Sequence, residues 1–309
     1  NNFSDQQCLF ANVQHALMTV AFDAHYKLLC ERTIMEHHPA ISKLSARKQI
    51  IAHHFSQANQ YDKHAHIQQQ ICQYLLTAIN DNHQESILEV GAGTGQLTQL
   101  LAAHLQSERW SINELCEQQA ARLQQELPQA EILIGDAETM DLGGEHSLII
   151  SANAIQWFDN PLHFIAQSAS RLKPDAQLLL STFTPDNFLQ IKTLTGQGLH
   201  YPDISEWQSA LDQAGFQHIK LSVQRFDVPF AQPYDVLKHM KMTGVSTNQT
   251  HREQTIGEQT PNTQPFVWTK TRLQAFEHDY WQQFAGVDKD GQSCVYLTYD
   301  VLIIDAQLP

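Results

Sequence analysis

The sequence predicts an α/β fold: a doubly wound, mostly parallel sheet of seven strands, with a helical lid inserted before the last strand. Three observations carry that expectation. Residues 86–184 alternate short apolar runs with helix-period segments, as β-α units do. The first apolar run ends in a glycine-rich turn, Gly91-Ala92-Gly93-Thr94-Gly95, that opens directly into a helical pattern. Of 309 residues, 42% are hydrophobic and 17% charged, which is enough apolar material for a sizeable core and excludes global disorder.

Residues 1–46 are mixed, with an amphipathic stretch near Val13–Cys30 and a break at Pro39, and form an N-terminal extension of unassigned role. Residues 47–309 form the main domain. It opens with a helical lead-in over 47–80, where Ile50, Ile51, Phe55, Ile67, Ile71, Leu75 and Leu76 recur near helical spacing. Ser86–Val90 is a buried-type strand, and Gln96–His104 is the helix after it. Arg109–Leu115 is the second strand, followed by a helix over Glu117–Leu127 that stops at Pro128. Glu131–Ile134 and Ser147–Ser151 are the third and fourth strands. A helix starts at Pro161 and runs to about Leu172, and Ala176–Thr182 is the fifth strand. The helix Ile204–Ala214 ends at Gly215, a usual stop signal. His218–Val228 alternates imperfectly as the sixth strand, and Val295–Ile304 is the seventh. The core therefore spans 84–184, and 229–285 is an insertion containing a polar loop, Ser246–Gln264.

Composition narrows the function classes. There are 19 Lys+Arg against 33 Asp+Glu, a net charge of −14, which argues against a general nucleic-acid binder. No run approaches the roughly 18–20 apolar residues of a membrane span. The polar start Asn1–Gln7 shows no signal peptide, and a first residue other than Met fits a fragment or a processed product. The five cysteines are scattered without a C-x-x-C pair, which points away from disulfides and structural zinc and toward a reducing cytoplasm. The 17 histidines include His37-His38, His53-His54 and His64-x-His66, but no H-E-x-x-H, so no metal site is expected.

The chemistry concentrates at the glycine turn. A strand end followed by a helix N-terminus offers unpaired N–H groups, and glycines let a ligand approach the backbone. The spacing is G-x-G-x-G, with Gln96 where a pyrophosphate cradle needs its third glycine, so a dinucleotide enzyme is disfavoured. Glu89, two places before the first glycine, suits a cationic ligand group. Glu114 ends the second strand, where a carboxylate accepts from both ribose hydroxyls, and Leu115 beside it can pack on an adenine face. Asp136, after the third strand in Gly135-Asp136-Ala137, can accept from an adenine amino group.

This ordered set resembles the class I S-adenosylmethionine-dependent methyltransferases, over roughly residues 84–184. The resemblance implies a Rossmann-like seven-stranded sheet with S-adenosylmethionine above the strand ends. It implies that Glu89 and the loop Gly91, Ala92, Gly93 and Gly95 hold the methionine part, that Glu114 holds the ribose, and that Asp136 and Ala137 hold the adenine beside Leu115, with Asn153 completing the cofactor set.

Further segments are similar to the malonyl-[acyl-carrier protein] O-methyltransferases, the BioC family, in the same order and over about residues 47–305. They are IIAHHFSQANQYDKHA at Ile50–Ala65, SANAIQWF at 151–158, LKHMKMTGVS at 237–246 and VYLTYDV at 295–301. The more specific signals are Asn153, Gln156 and Trp157 in Asn-x-x-Gln-Trp, joined to Lys241–Gly244; Phe55, Ala58 and Tyr61 are shared with several small-molecule methyltransferases. That resemblance implies methyl transfer to the free carboxylate of malonyl-acyl carrier protein, giving an ester that primes the pimeloyl chain of biotin. A carboxylate of pKa about 4 is already ionised at neutral pH, so no general base is needed. Tyr61 and Gln156 are the candidates for locating it, and Trp157 for lining its channel. An acidic carrier calls for a local cationic patch, and Lys238 and Lys241 lie in an acid-free stretch; Lys43, Arg47 and Lys48 form a second such cluster.

The chain departs from the family in residues 1–46, in Glu114 where Asp is more usual, and in a longer polar loop. Two alternatives stay open. One is methylation of a small diffusible acid, a quinone precursor or a modified RNA base. The other is a non-catalytic, S-adenosylmethionine-binding partner protein. The oligomeric state is left open.

Overall fold

The computed structural model describes residues 44–56, 65–242 and 268–309. Most of the N-terminal extension, the Ala58 and Tyr61 positions and the polar loop 246–264 lie outside the described residues. The strands are β1 (His83–Val90), β2 (Gln106–Glu114), β3 (Glu131–Ile134), β4 (His146–Ser151), β5 (Leu172–Phe183), β6 (Gln217–Phe230), β7 (Ala285–Val287) and β8 (Ser293–Gln307). The sheet order is β3-β2-β1-β4-β5-β8-β6, with the short β7 paired to β8 off this path. Strands β3, β2, β1, β4 and β5 run parallel, and β8 lies antiparallel between β5 and β6.

Alternation along each strand builds two cores. In β1, Ile87 faces a layer with Ile71, Leu75, Leu101 and Leu123, while Leu88 faces Phe164, Ile165, Trp207 and Leu211. Such fully buried aliphatic side chains contribute about 1.5–3 kcal/mol each. The first layer contains α2 (His66–Thr77), α3 (Gln96–His104) and α4 (Ala120–Glu126); the second contains α5 (Pro161–Ala169) and α7 (Ile204–Gln213). Local chemistry starts and stops these helices. Asn160 accepts from His163 N at 3.1 Å with Pro161 in the first turn, Glu206 Oε2 accepts from Asp203 N at 2.7 Å, and Gly215 follows α7 at φ +88°.

The structure differs from the sequence expectation in three places. An eighth strand, β7, is a three-residue hairpin arm, turned by Asp288 Oδ1 accepting from Asp290 N and Gln292 N with Gly291 at φ +78°. The helix expected over 117–127 begins as a 3₁₀ turn, Glu117–Gln119, before α4. The helix from Pro161 ends at Ala169, because Leu172 already pairs with His146 in β5. The remaining helices are α1 (Ala46–Ser56), α6 (Leu189–Thr195), α8 (Pro233–Met242) and α9 (Lys270–Phe284). The order reverses at β1, which has β2 on one side and β4 on the other; in open α/β sheets ligands bind outside the strand ends at such a switch point.

Candidate active site

A cleft opens over the C-terminal ends of β1 and β2 and the segment after β4. The glycine turn forms its floor, pinned by Gly91 N and Ala92 N donating to Asn113 O at 3.0 Å each. Gly91 has φ +69°, and a Cβ there would lie 2.3 Å from Ala154 Cβ. Gly93 has φ +57°, and a Cβ there would meet no protein atom within 4 Å, since the space belongs to the cleft. Gly95, in contrast, does not line the cleft. At φ +84° it caps α3, and its added Cβ would meet Leu123 at 3.3 Å, so its need for glycine is conformational.

Three carboxylates face this space. Glu89 is 2% exposed; Thr98 Oγ1 donates to its Oε2 at 2.7 Å, and its Oε1 has no partner among the described residues. Burial pushes its carboxyl up to about 7, against the opposing Thr98 hydrogen bond. Glu114 Oε2 accepts from Gly93 N at 2.7 Å and its Oε1 from Cys116 N at 2.8 Å. Burial still holds the Glu114 carboxyl above the usual range despite these donors. Asp136 Oδ1 accepts from Glu138 N at 3.0 Å and from Lys48 Nζ. Leu115 and the buried Ala137 line the same cleft. Asn153 stands in the left-handed region at φ +56°, its N donating to Ser181 Oγ at 3.0 Å and its buried Oδ1 without a partner among the described residues. Two orphaned acceptor oxygens, Glu89 Oε1 and Asn153 Oδ1, thus border one cavity. That donor-seeking pair, beside a glycine floor and a strand-end carboxylate with spare lone pairs, fits an amino-acid-bearing nucleoside.

Helix α1 covers the cleft, contributing Lys48, Ile51 and Phe55 to its lining. Lys48 is 4% exposed and pairs with both Asp136 and Glu138. Arg47 donates to Phe158 O at 2.9 Å and to Asp159 at 2.8 Å. Cys116 Sγ donates to Ala52 O at 3.3 Å, and Phe55 meets Trp157 edge-on at 5.6 Å. Arg47 and Lys48 therefore do not form a docking patch: their charges are spent holding α1 down, and Lys43 lies outside the described residues.

A second, smaller chamber adjoins the cleft and shares Phe55, Gln68, Asn153 and Trp157 with it. Gln156 lines this chamber and not the cleft; its Nε2 donates to Asn153 O at 2.7 Å, leaving a buried Oε1 unpartnered among the described residues. Lys238 and Lys241 stand exposed on α8, outside both cavities. The same helix carries His239, whose Nε2 lies 2.7 Å from Tyr299 Oη in the chamber wall. Sequence reasoning did not place Lys48 in the cleft, and it missed Gln68, Phe183, Phe188, Tyr201 and Tyr299. Tyr299 lay in the quoted segment VYLTYDV, and Tyr201 sits just before the Asp203 cap of α7. Nothing local marks either as a wall residue.

Comparison with known proteins gives the family and the fold. A family described as methyltransferase domain matches residues 61–221. The chain is 37% identical over 248 residues to a malonyl-[acyl-carrier protein] O-methyltransferase of Porphyromonas gingivalis, covering 78% of this chain and 88% of that protein. It is 35% identical to the protein of the same name from Haemophilus influenzae, covering 79% and 89%. The solved YcgJ protein of Bacillus subtilis shares the fold at a TM-score of 0.52 and 14% identity, covering 77% of this chain and 98% of that one. The chain belongs to the methyltransferase-domain family, and within it to the malonyl-[acyl-carrier protein] O-methyltransferases.

Proposed function

We propose that this chain transfers a methyl group from S-adenosylmethionine to the free carboxylate of malonyl-acyl carrier protein. The observation that carries the reading is the junction of two unlike cavities. A cleft bordered by orphaned acceptors opens, across Asn153 and Trp157, onto a chamber with no charged side chain among its described lining residues. S-adenosylmethionine, when bound, supplies a methyl on a sulfonium, so a substrate oxygen forms the C–O bond as the C–S bond breaks, and no proton moves.

The chain's residues bind, align and exclude water. Glu89 and Asn153 offer their unpartnered oxygens to the α-ammonium. Gly91, Ala92 and Gly93 let the ligand lie against the backbone, with Gly95 shaping the turn from outside. Glu114 keeps lone pairs for the ribose hydroxyls, Leu115 and Ala137 flank the base, and Asp136 accepts from its amino group with the oxygen that does not face Lys48. Gln156 and Trp157 border the acceptor. Since a carboxylate is ionised at neutral pH, alignment in a dry site is sufficient chemistry. The ester would then prime the pimeloyl chain of biotin.

Lys238 and Lys241 are the proposed contact for the acidic carrier, one helix away from the chamber through the His239–Tyr299 bond. The described cysteines Cys72, Cys116 and Cys294 are buried unpaired thiols, which supports a reducing, cytoplasmic setting. Intact-mass measurement of the carrier tests the function. One added methyl on malonyl-carrier and none on acetyl-carrier supports it. No change, with cofactor binding verified, would overturn the carrier substrate and favour a small acid or quinone precursor.

A further inference from the structure

The second chamber is built under strain. Asn153 and Phe188, two of its lining residues, both adopt left-handed backbone, at φ +56° and +55°. For a bulky aromatic such a conformation is costly, and strain of this kind concentrates where a site is being shaped. Phe188 is held there by its N donating to Thr298 O at 2.9 Å and by an edge contact with Tyr299 at 4.8 Å.

Among the described lining residues no cation is available to receive a carboxylate. The remaining donors are the side-chain amides, the Trp157 indole and the two phenols. Tyr299 is already engaged with His239. Tyr201 is 4% exposed, and its oxygen accepts from Asn187 Nδ2 at 3.2 Å. The direction of that bond is fixed, because Asn187 Oδ1 accepts from Asp300 N at 3.1 Å and so the amide nitrogen must face the phenol. Tyr201 therefore accepts from the protein, and its own hydrogen has no acceptor among the described residues. Lys192 Nζ sits 4.8 Å from the Tyr201 ring centroid, a cation that draws density from the ring and strengthens the phenol as a donor.

We propose that Tyr201 donates its phenolic hydrogen to the malonyl carboxylate and is the side chain that distinguishes malonyl from acyl groups lacking it. A neutral donor suits the reaction. It locates the carboxylate without neutralising the oxygen that must attack, and it does not retain the uncharged ester as an ion pair would. Burial raises the phenol's ionisation well above its ordinary value, so the hydrogen stays in place at any working pH.

The inference rests on the carboxylate-methylation reading, and the test separates the two. Labelled malonyl- and acetyl-carrier proteins are titrated into the full chain loaded with S-adenosylhomocysteine, and turnover of malonyl-carrier is measured alongside. The wild type is expected to prefer malonyl-carrier. Tyr201→Phe is expected to weaken malonyl-carrier binding and lower kcat/KM by about 10–100-fold, the loss of a hydrogen bond to a charged group. Acetyl-carrier and S-adenosylhomocysteine binding should stay within about twofold, which a merely structural role would not allow. Equal weakening of both carriers, or a preference kept intact, overturns the role of Tyr201. Asn187→Asp gives a second reading if Tyr201→Phe does not fold: its carboxylate captures the phenolic hydrogen, so the malonyl preference should vanish with the hydroxyl still present, and its survival overturns the proposal. A wild type that never methylates malonyl-carrier refutes the underlying reading instead.

Discussion

Glu89 shows how a single residue can be costly to an empty site and useful to a filled one. Its carboxyl rises from 4.5 in the unfolded chain to about 7 in the fold because it is buried with one oxygen unsatisfied. A raised carboxyl contributes stability that is fully present below pH 4.5 and lost as pH rises through 7. The difference amounts to about 3 kcal/mol at most. Glu89→Gln removes this titration. Without ligand, wild type should lose melting temperature relative to Glu89→Gln between pH 5 and pH 8, and parallel curves would refute the assignment. With ligand the order reverses: the ionised carboxylate meets a cation, so wild-type affinity for S-adenosylhomocysteine should rise across pH 7, and that of Glu89→Gln should be weaker and flat. Glu89, Glu114 and Asp136 were legible in the sequence because each sits at the end of a strand whose pattern is local. The orphaned Oε1 was not, since orphanhood depends on what Thr98 does from the next helix.

At the scale of elements, α1 is the part whose meaning the sequence misassigned. Lys43, Arg47 and Lys48 read as an acid-free cationic cluster in the chain; the partners of Arg47 and Lys48, namely Asp136, Glu138 and Asp159, are supplied by the segments after β3 and before α5. Pairing across such separations leaves no local trace. Lys48→Met should leave Asp136 and Glu138 facing each other without their cation and destabilise the fold by about 3 kcal/mol. It should also loosen α1 over the cleft, so that S-adenosylhomocysteine dissociates faster in stopped-flow chase. Unchanged melting and unchanged dissociation together would show that α1 is not held by this network. The face of α8 carries a parallel expectation: Lys241→Glu should raise KM for malonyl-carrier and leave cofactor affinity alone, whereas an unaltered KM would remove the docking assignment. The strands themselves were readable, β3 to the residue, because a buried parallel strand is a continuous apolar run between turn signals. The short β7 was not, because Ala285-Gly286-Val287 gains its place only by pairing with Ser293–Val295.

For the whole molecule, topology explains where the chemistry sits. The sheet reverses its order at β1, so the glycine turn, Glu114 and Asn153 converge from three neighbouring strand ends. The second chamber is assembled differently, from residues as distant as Asn153, Phe188, Tyr201 and Tyr299, joined only because β8 folds back beside β5. That is why half of the site was visible in the sequence and half was not. On the proposed contact of the acidic carrier with the exposed Lys238 and Lys241 of α8, in a chain of net charge −14, the carrier KM should rise with salt. The central claim is that the methyl lands on oxygen at the malonyl carboxylate. The most direct measurement is carbon NMR of malonyl-carrier after turnover with S-adenosylmethionine labelled with ¹³C at the methyl carbon. The account predicts a single methoxy ester signal on the carrier-bound acyl group. A signal from a methyl bonded to carbon, or label found only on small molecules, would contradict it.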